Sequence, residues 1–170
     1  MTKLRKLTAL LLAGALTLLL LTACSGGGGS SGPEAQAEAE TKVMKAINND
    51  RANSRAAPLS NDPDMQRIAK KKLTNKLANT NLDADLNGSI GKYKFYNDVK
   101  YDRETSTLTL IAQYDYQNTK LDDLIGCITE GNKSSNLNFN HSSKWTKVGV
   151  AATTHEGKTY IAITLQVNNT

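Results

Sequence analysis

The sequence is poor in cysteine, histidine, proline and aromatic residues. It has two Cys, two His, three Pro and one Trp in 170 residues, and aromatic residues make up 5% of the chain. Cys24 closes an N-terminal apolar run, so Cys127 is the one thiol left to a folded domain. With Cys24 consumed at the N-terminus no intrachain disulfide can form, and the number and spacing of the cysteines exclude a Cys-x-x-Cys redox pair and a cysteine-ligated zinc site. A secreted domain without a disulfide has to rely on its apolar core. The Gly-x-Ser-x-Gly string at Gly28 to Gly32 lies within a Ser/Gly run with no strand pattern before it, so it is no nucleophile elbow, and no Walker-type phosphate loop occurs. Charge of one sign is also scarce. Lys3, Arg5 and Lys6 lie ahead of the apolar run with no acidic residue beside them, and the rest of the chain carries 18 basic against 16 acidic residues. That near balance is not the electrostatic footprint of a nucleic-acid binder.

The N-terminus has a clear layout. A positive patch precedes an apolar stretch from Leu7 to Leu21, which ends in Leu21-Thr22-Ala23-Cys24. The stretch is short for a stable membrane span of about 20 residues. Basic region, apolar region and small-residue cleavage site are the parts of a secretion signal. The final four residues resemble the lipobox of bacterial lipoproteins: an aliphatic residue, a hydroxyl or small residue, a small residue, then Cys. Two readings follow, an ordinary secretory signal with a chance Cys, or a signal over residues 1–23 with lipid added to Cys24. Position, flanks and the linker that follows favour the second. Residues 24–37 are then the lipidated Cys and a tether, with Ser25 to Gly32 built from Ser and Gly alone. Random-coil scaling gives it a reach of roughly 15–20 Å. Pro33 to Glu40 is acidic and Ala-rich, compatible with tether or early helix. One domain is expected over residues 38–170.

Periodicity organises that domain. Thr41 to Asn53 reads as a helix with Val43, Ala46 and Ile47 on one face, broken at Ala56-Ala57-Pro58. Asp62 can cap a second helix, since Pro63 suits the first helical position. Met65, Ile68, Ala69, Leu73 and Leu77 continue it to about Ala78, with Lys70, Lys71 and Lys72 as a solvated face. Asn79 to Gly91 reads as loop. Tyr93 to Phe95 and Thr107 to Tyr116 read as strands, and Asn118-Thr119 as the cap of a third helix over Lys120 to Thr129. Gly131 to Lys144 reads as a long polar loop. Lys147 to Thr154 and Lys158 to Val167 are strands joined by a tight hairpin at Glu156-Gly157.

The run Val43 to Arg51, with Asn48 and Arg51 three apart, is followed by Pro58-Leu59, Asp62, Met65 and Ile68-Ala69. This resembles the opening of a CAP domain, the superfamily of cysteine-rich secretory proteins, venom antigen 5 and plant pathogenesis-related proteins. Val148 to Ala151 and Thr159 to Gln166 resemble that family's final hairpin. Leu124 to Cys127, with Asn136-Leu137 downstream, lies where the family has a helix leading to its cleft. The resemblance spans residues 41 to 167 and implies an α+β fold, a three-layer α-β-α sandwich of the CAP type with a central cleft. In many members that cleft holds a divalent metal on two His and two acidic residues. This chain departs from the pattern: no His occurs in Ala78 to Gly91, Thr109 stands where the family has Glu, and Lys133 stands at the second His. Glu130 takes a usual Ser and Cys127 a usual Trp.

The remaining polar residues suggest scaffold. His141 in a loop and His155 in a hairpin turn are expected to be exposed, and no metal or cofactor is expected. Asp122 and Asp123 are adjacent on a helix, about 100° apart, and suit its dipole in the first turn. Cys127 lies in the apolar pattern of Leu121, Leu124, Ile125 and Ile128 and is expected to be a buried thiol. Tyr93, Phe95, Tyr96, Tyr101, Tyr114 and Tyr116 are expected mostly to pack the sheet. Asn48 and Arg51 are expected to tie the first helix to the segment around Pro58 and Asp62. The functional expectation is a membrane-anchored extracytoplasmic lipoprotein with a non-catalytic CAP-like binding or structural module. Its partners would be the membrane, through the lipid at Cys24, and a cell-wall, lipid or protein ligand. The alternative is a cell-wall or peptide hydrolase with no catalytic set that can be named. Thermal unfolding of the mature chain should be insensitive to chelator and to reductant; a large fall in melting temperature with either would contradict the metal-free, disulfide-free reading.

Overall fold

The computed structural model describes residues 33–79, 88–90, 93–114, 120–131 and 138–169, all within the unit Ser31–Thr170. The expected signal, Cys24, the expected Ser/Gly tether, the expected Asn118-Thr119 cap, Tyr116, Lys133 and Asn136 lie outside the described residues. The elements in chain order are α1 (Pro33–Asn53), α2 (Pro63–Asn79), β1 (Gly88–Ile90), β2 (Tyr93–Tyr101), β3 (Thr105–Tyr114), α3 (Leu121–Gly131), β4 (Trp145–His155) and β5 (Lys158–Asn168). Two short 3-10 turns, Asn138–Asn140 and Ser142–Lys144, precede β4. The strands form one antiparallel sheet in the order β1-β2-β3-β5-β4, so the fold is α+β.

Strand alternation divides the apolar residues between two clusters. Leu108, Leu110 and Ala112 of β3 join Val148 and Val150 of β4 and Ile161, Ile163 and Leu165 of β5. Against them pack Ala39, Val43, Ala46 and Ile47 of α1, and Leu124, Ile125 and Ile128 of α3. The residues between them in sequence face the other way. Ile111, Ala151, Tyr160 and Ala162 form a second cluster with Ala69 and Leu73 of α2. A period of two in the strands and 3.6 in the helices therefore gives each sheet face its own cover.

Beneath α2 the sheet carries a row of small or polar residues. Register places Asp98 opposite Thr109, Thr109 opposite Thr164, and Thr164 opposite Gly149. Thr109 and Thr164 are buried and share a hydrogen bond between hydroxyls at 3.0 Å. Asp98 pairs with Lys72 of α2. Gly149 meets the start of α2 so closely that a Cβ there would lie 2.1 Å from Gln66 N and 2.2 Å from Met65 C. The helix thus crosses from β4 toward β2, with its N-terminal end seated where the sheet has no side chain.

Helix ends follow the sequence. Asp62 Oδ1 accepts from the backbone N–H of Asp64 at 3.1 Å and of Met65 at 3.0 Å, the N-cap expected ahead of Pro63. α1 ends with Arg55 in the left-handed region, φ 57°. Ala56 N donates to Arg51 O and Arg55 N to Ala52 O, both at 2.9 Å, a Schellman closure made without glycine. The β4–β5 hairpin turns on Glu156 and Gly157, with φ 49° and 75°, the positive pair that a two-residue type I′ turn requires.

Four expectations need correction. α1 begins at Pro33, not near Thr41, so residues 33–37 belong to the domain and not to the tether; Ala35 and Ala39 are buried, which gives an Ala-rich acidic stretch a reason to be helical. The expected loop after α2 contains β1, and β2 runs six residues beyond Phe95. The expected polar loop before β4 carries Phe139 and Ser142, both buried. Cys127 is only partly buried, at the margin of the α3 stripe. The aromatics follow the expectation in the main: Phe95 and Tyr114 are core and Tyr96 packs against the second cluster, while Tyr101 is 67% exposed.

Gly149→Ala should lower stability by about 3 kcal/mol, because the added methyl would meet helix backbone that has no room to retreat. Gly126→Ala, in α3 with nothing within 4 Å of the new Cβ, should be neutral or raise it by roughly 0.5–1 kcal/mol. Urea midpoints of the two variants check the packing; a neutral Gly149→Ala would refute it.

Candidate functional site

Among the described residues a polar constellation lies where α1, the segment after it and β4 meet. Among the described residues β4 ends the sheet, so its outer backbone groups have no neighbouring strand. Unpaired edge groups invite association with other chains. Here they are occupied from within. Asp62 N donates to Val148 O at 2.8 Å. Asn61 takes both groups of Val150: its Oδ1 accepts from Val150 N at 2.8 Å and its Nδ2 donates to Val150 O at 3.2 Å. Glu40 comes from α1. Its Oε1 accepts from Ala152 N at 3.0 Å and its Oε2 from Gln66 Nε2 at 3.0 Å.

The start of β4 is tied to the C-terminal end of α1. Asn48 clasps Leu59: its Nδ2 donates to Leu59 O at 2.9 Å, and Leu59 N donates to its Oδ1 at 2.9 Å. Arg51 is 5% exposed. Its Nε donates to Ala57 O at 2.8 Å, and one terminal nitrogen donates to Trp145 O at 3.1 Å and to Ser142 O. Burial lowers the Arg51 pKa from its ordinary value, but the guanidinium keeps its charge at any working pH. Asp50 accepts from the Ser142 hydroxyl. Trp145, itself buried, donates from Nε1 to Phe139 O at 2.9 Å. The expected tie of Asn48 and Arg51 to the Pro58 segment is present, but Asp62 serves α2 and β4 instead, and Arg51 reaches a second segment far away in sequence.

Glu40 stands between two open grooves. One, about 570 Å³, lies between α1 and α2 and is lined by Gln36, Glu40, Gln66, Arg67, Lys70 and Lys71. The other, about 380 Å³, lies on the far side of Glu40 and includes Met44, Lys45, Asn48 and Ser60.

The other candidates are not brought together. His141, between the two 3-10 turns, and His155, the last residue of β4, are both exposed, and Asp122 and Asp123 are exposed in the first turn of α3. Among the described residues no group of three or more His, Cys, Asp or Glu could hold a metal ion. Thr109, where the CAP resemblance would place Glu, lies in the buried threonine pair under α2. Of the basic run, Lys72 is paired with Asp98 while Lys70 and Lys71 are exposed. Sequence reasoning missed Glu40, Asn61, Phe139, Ser142 and Trp145. Asn61 is legible only as part of a helix start, because its partner is 89 residues away.

No family model, curated protein or solved structure matches this chain.

Arg51→Ala should cost on the order of 2–4 kcal/mol, since three carbonyls lose a charged donor at once. Arg51→Lys should recover less than half, because a single ammonium cannot reach carbonyls on both sides of the fork. Chemical denaturation reads both; a midpoint equal to the parent for Arg51→Ala would contradict the assignment.

Proposed function

We propose that this chain is a bacterial lipoprotein, held by a lipid on Cys24 at the extracytoplasmic face of the cell membrane, whose domain is a non-catalytic CAP-like binding or structural module. The finer architecture in this proposal is the three-layer α-β-α sandwich, with α1 and α3 on one sheet face and α2 on the other. The observation that carries the non-catalytic reading is how the polar residues are used. Asn48, Arg51 and Asn61 direct their hydrogen bonds at backbone groups of neighbouring segments, and Glu40 is shared between Ala152 N and the Gln66 side-chain amide. A side chain committed in this way is a poor general acid, base or nucleophile, which must be free to reach a reacting atom. The anchoring half of the proposal rests on the basic patch, the apolar stretch and Leu21-Thr22-Ala23-Cys24. The ligand classes that suit such a module are cell-wall glycan, a small lipid or another protein.

Cys24→Ala should accumulate as unprocessed precursor or leave the membrane fraction, and should lose incorporation of labelled palmitate. Processing, retention and labelling equal to the parent would sink the lipoprotein reading. Incubation of the mature protein with purified cell wall should release no soluble glycan or peptide fragments; steady release would favour the hydrolase instead.

A further inference from the structure

We infer that the exposed face of α2 around Lys70 and Lys71 docks on the anionic headgroups of the membrane that holds the lipid. This rests on the lipidation of Cys24 proposed above. The tether residues end at Gly32, and α1 starts at the next position, Pro33. Gln36, one turn into α1, lines the same groove as Arg67, Lys70 and Lys71. The cationic face therefore adjoins the point at which the chain leaves for the lipid. Nine residue steps separate Cys24 from Pro33, so the chain between them can span at most about 32 Å. A lipid at Cys24 would keep the face at a high effective concentration beside the bilayer.

Charge on this face is complementary to an anionic leaflet. Arg67 is paired with Asp64 at 3.1 Å, and Glu38 with Lys42 at 2.6 Å. Glu40 lines the same groove, and the groups that donate to its carboxylate, Ala152 N and Gln66 Nε2, are uncharged, so Lys70 and Lys71 share the groove with one acidic side chain. Lys72 turns to Asp98, and Lys76 lies 4.1 Å from the centre of the Tyr96 ring. Lys70 and Lys71 have no ion-pair partner among the described residues. Each lysine near an anionic leaflet is worth roughly a fivefold bias toward the bound orientation. The opposite end of α1 serves as a reference. Arg51 is about 22 Å along the helix from Gln36, and Lys144, beside its partners Ser142 and Trp145, is exposed.

The test uses the full processed protein reconstituted in vesicles of phosphatidylcholine, with or without about a third of phosphatidylglycerol as the charged component. Vesicle flotation reads anchoring, and a membrane-impermeant amine reagent followed by mass spectrometry reads each lysine. Lys70 and Lys71 should label at least about threefold more slowly on the anionic vesicles, Lys144 should not change, and high salt should abolish the difference. In Lys71→Glu the protection of Lys70 should disappear, with an unchanged melting temperature as the folding control. Flotation with equal labelling on both vesicles would overturn the docking face while leaving the lipid anchor standing. Failure to float would overturn the anchor and this inference with it. Protection seen only with added cell-wall polymer would overturn it by assigning the face to that polymer.

Discussion

An antiparallel sheet that ends in a strand of 11 residues must satisfy the backbone groups on its outer edge. In this protein side chains and turn backbone substitute for the missing neighbour. Asp62 N, both ends of the Asn61 amide and the Glu40 carboxylate meet Val148, Val150 and Ala152 in succession. The same contacts fix α1 and the start of α2 against the sheet, so edge protection and helix placement are one constraint. Arg51 extends it to the approach of β4 through Ser142 and Trp145.

Packing then follows from where the helices are held. With its N-terminal turn drawn to β4, α2 passes directly over the strand, which leaves room for glycine alone at position 149. The row of Thr164, Thr109 and Asp98 lets it cross the rest of the sheet and ends in the pair with Lys72. On the opposite face α1 and α3 cover larger side chains, which supply most of the apolar burial.

Local signals are legible in the sequence and distant ones are not. Asp62 before Pro63 marks a helix start, Glu156-Gly157 marks a hairpin, and alternation in β4 and β5 identifies two core strands, because each signal is complete within a few residues. The Ala-rich start of α1 is ambiguous because burial of Ala35 and Ala39 depends on surfaces remote in sequence. Phe139 and Ser142 read as loop because their surroundings are polar, and the polar bonds that hold them come from Trp145 and from Asp50. Asn48 and Arg51 are legible as polar residues three apart on one side of α1, but the reach of Arg51 to Ser142 is not. The polar residues that a search for a site would favour are thus largely those that close the scaffold.

Amide hydrogen exchange tests this most directly. If Asn61 and Glu40 complete the edge of β4, the amides of Val150 and Ala152 should exchange about as slowly as that of Ile163 in the inner strand β5, and Asn61→Ala should selectively accelerate Val150 by at least about tenfold. Val150 and Ala152 exchanging in the parent at the rate of an open edge would contradict the account.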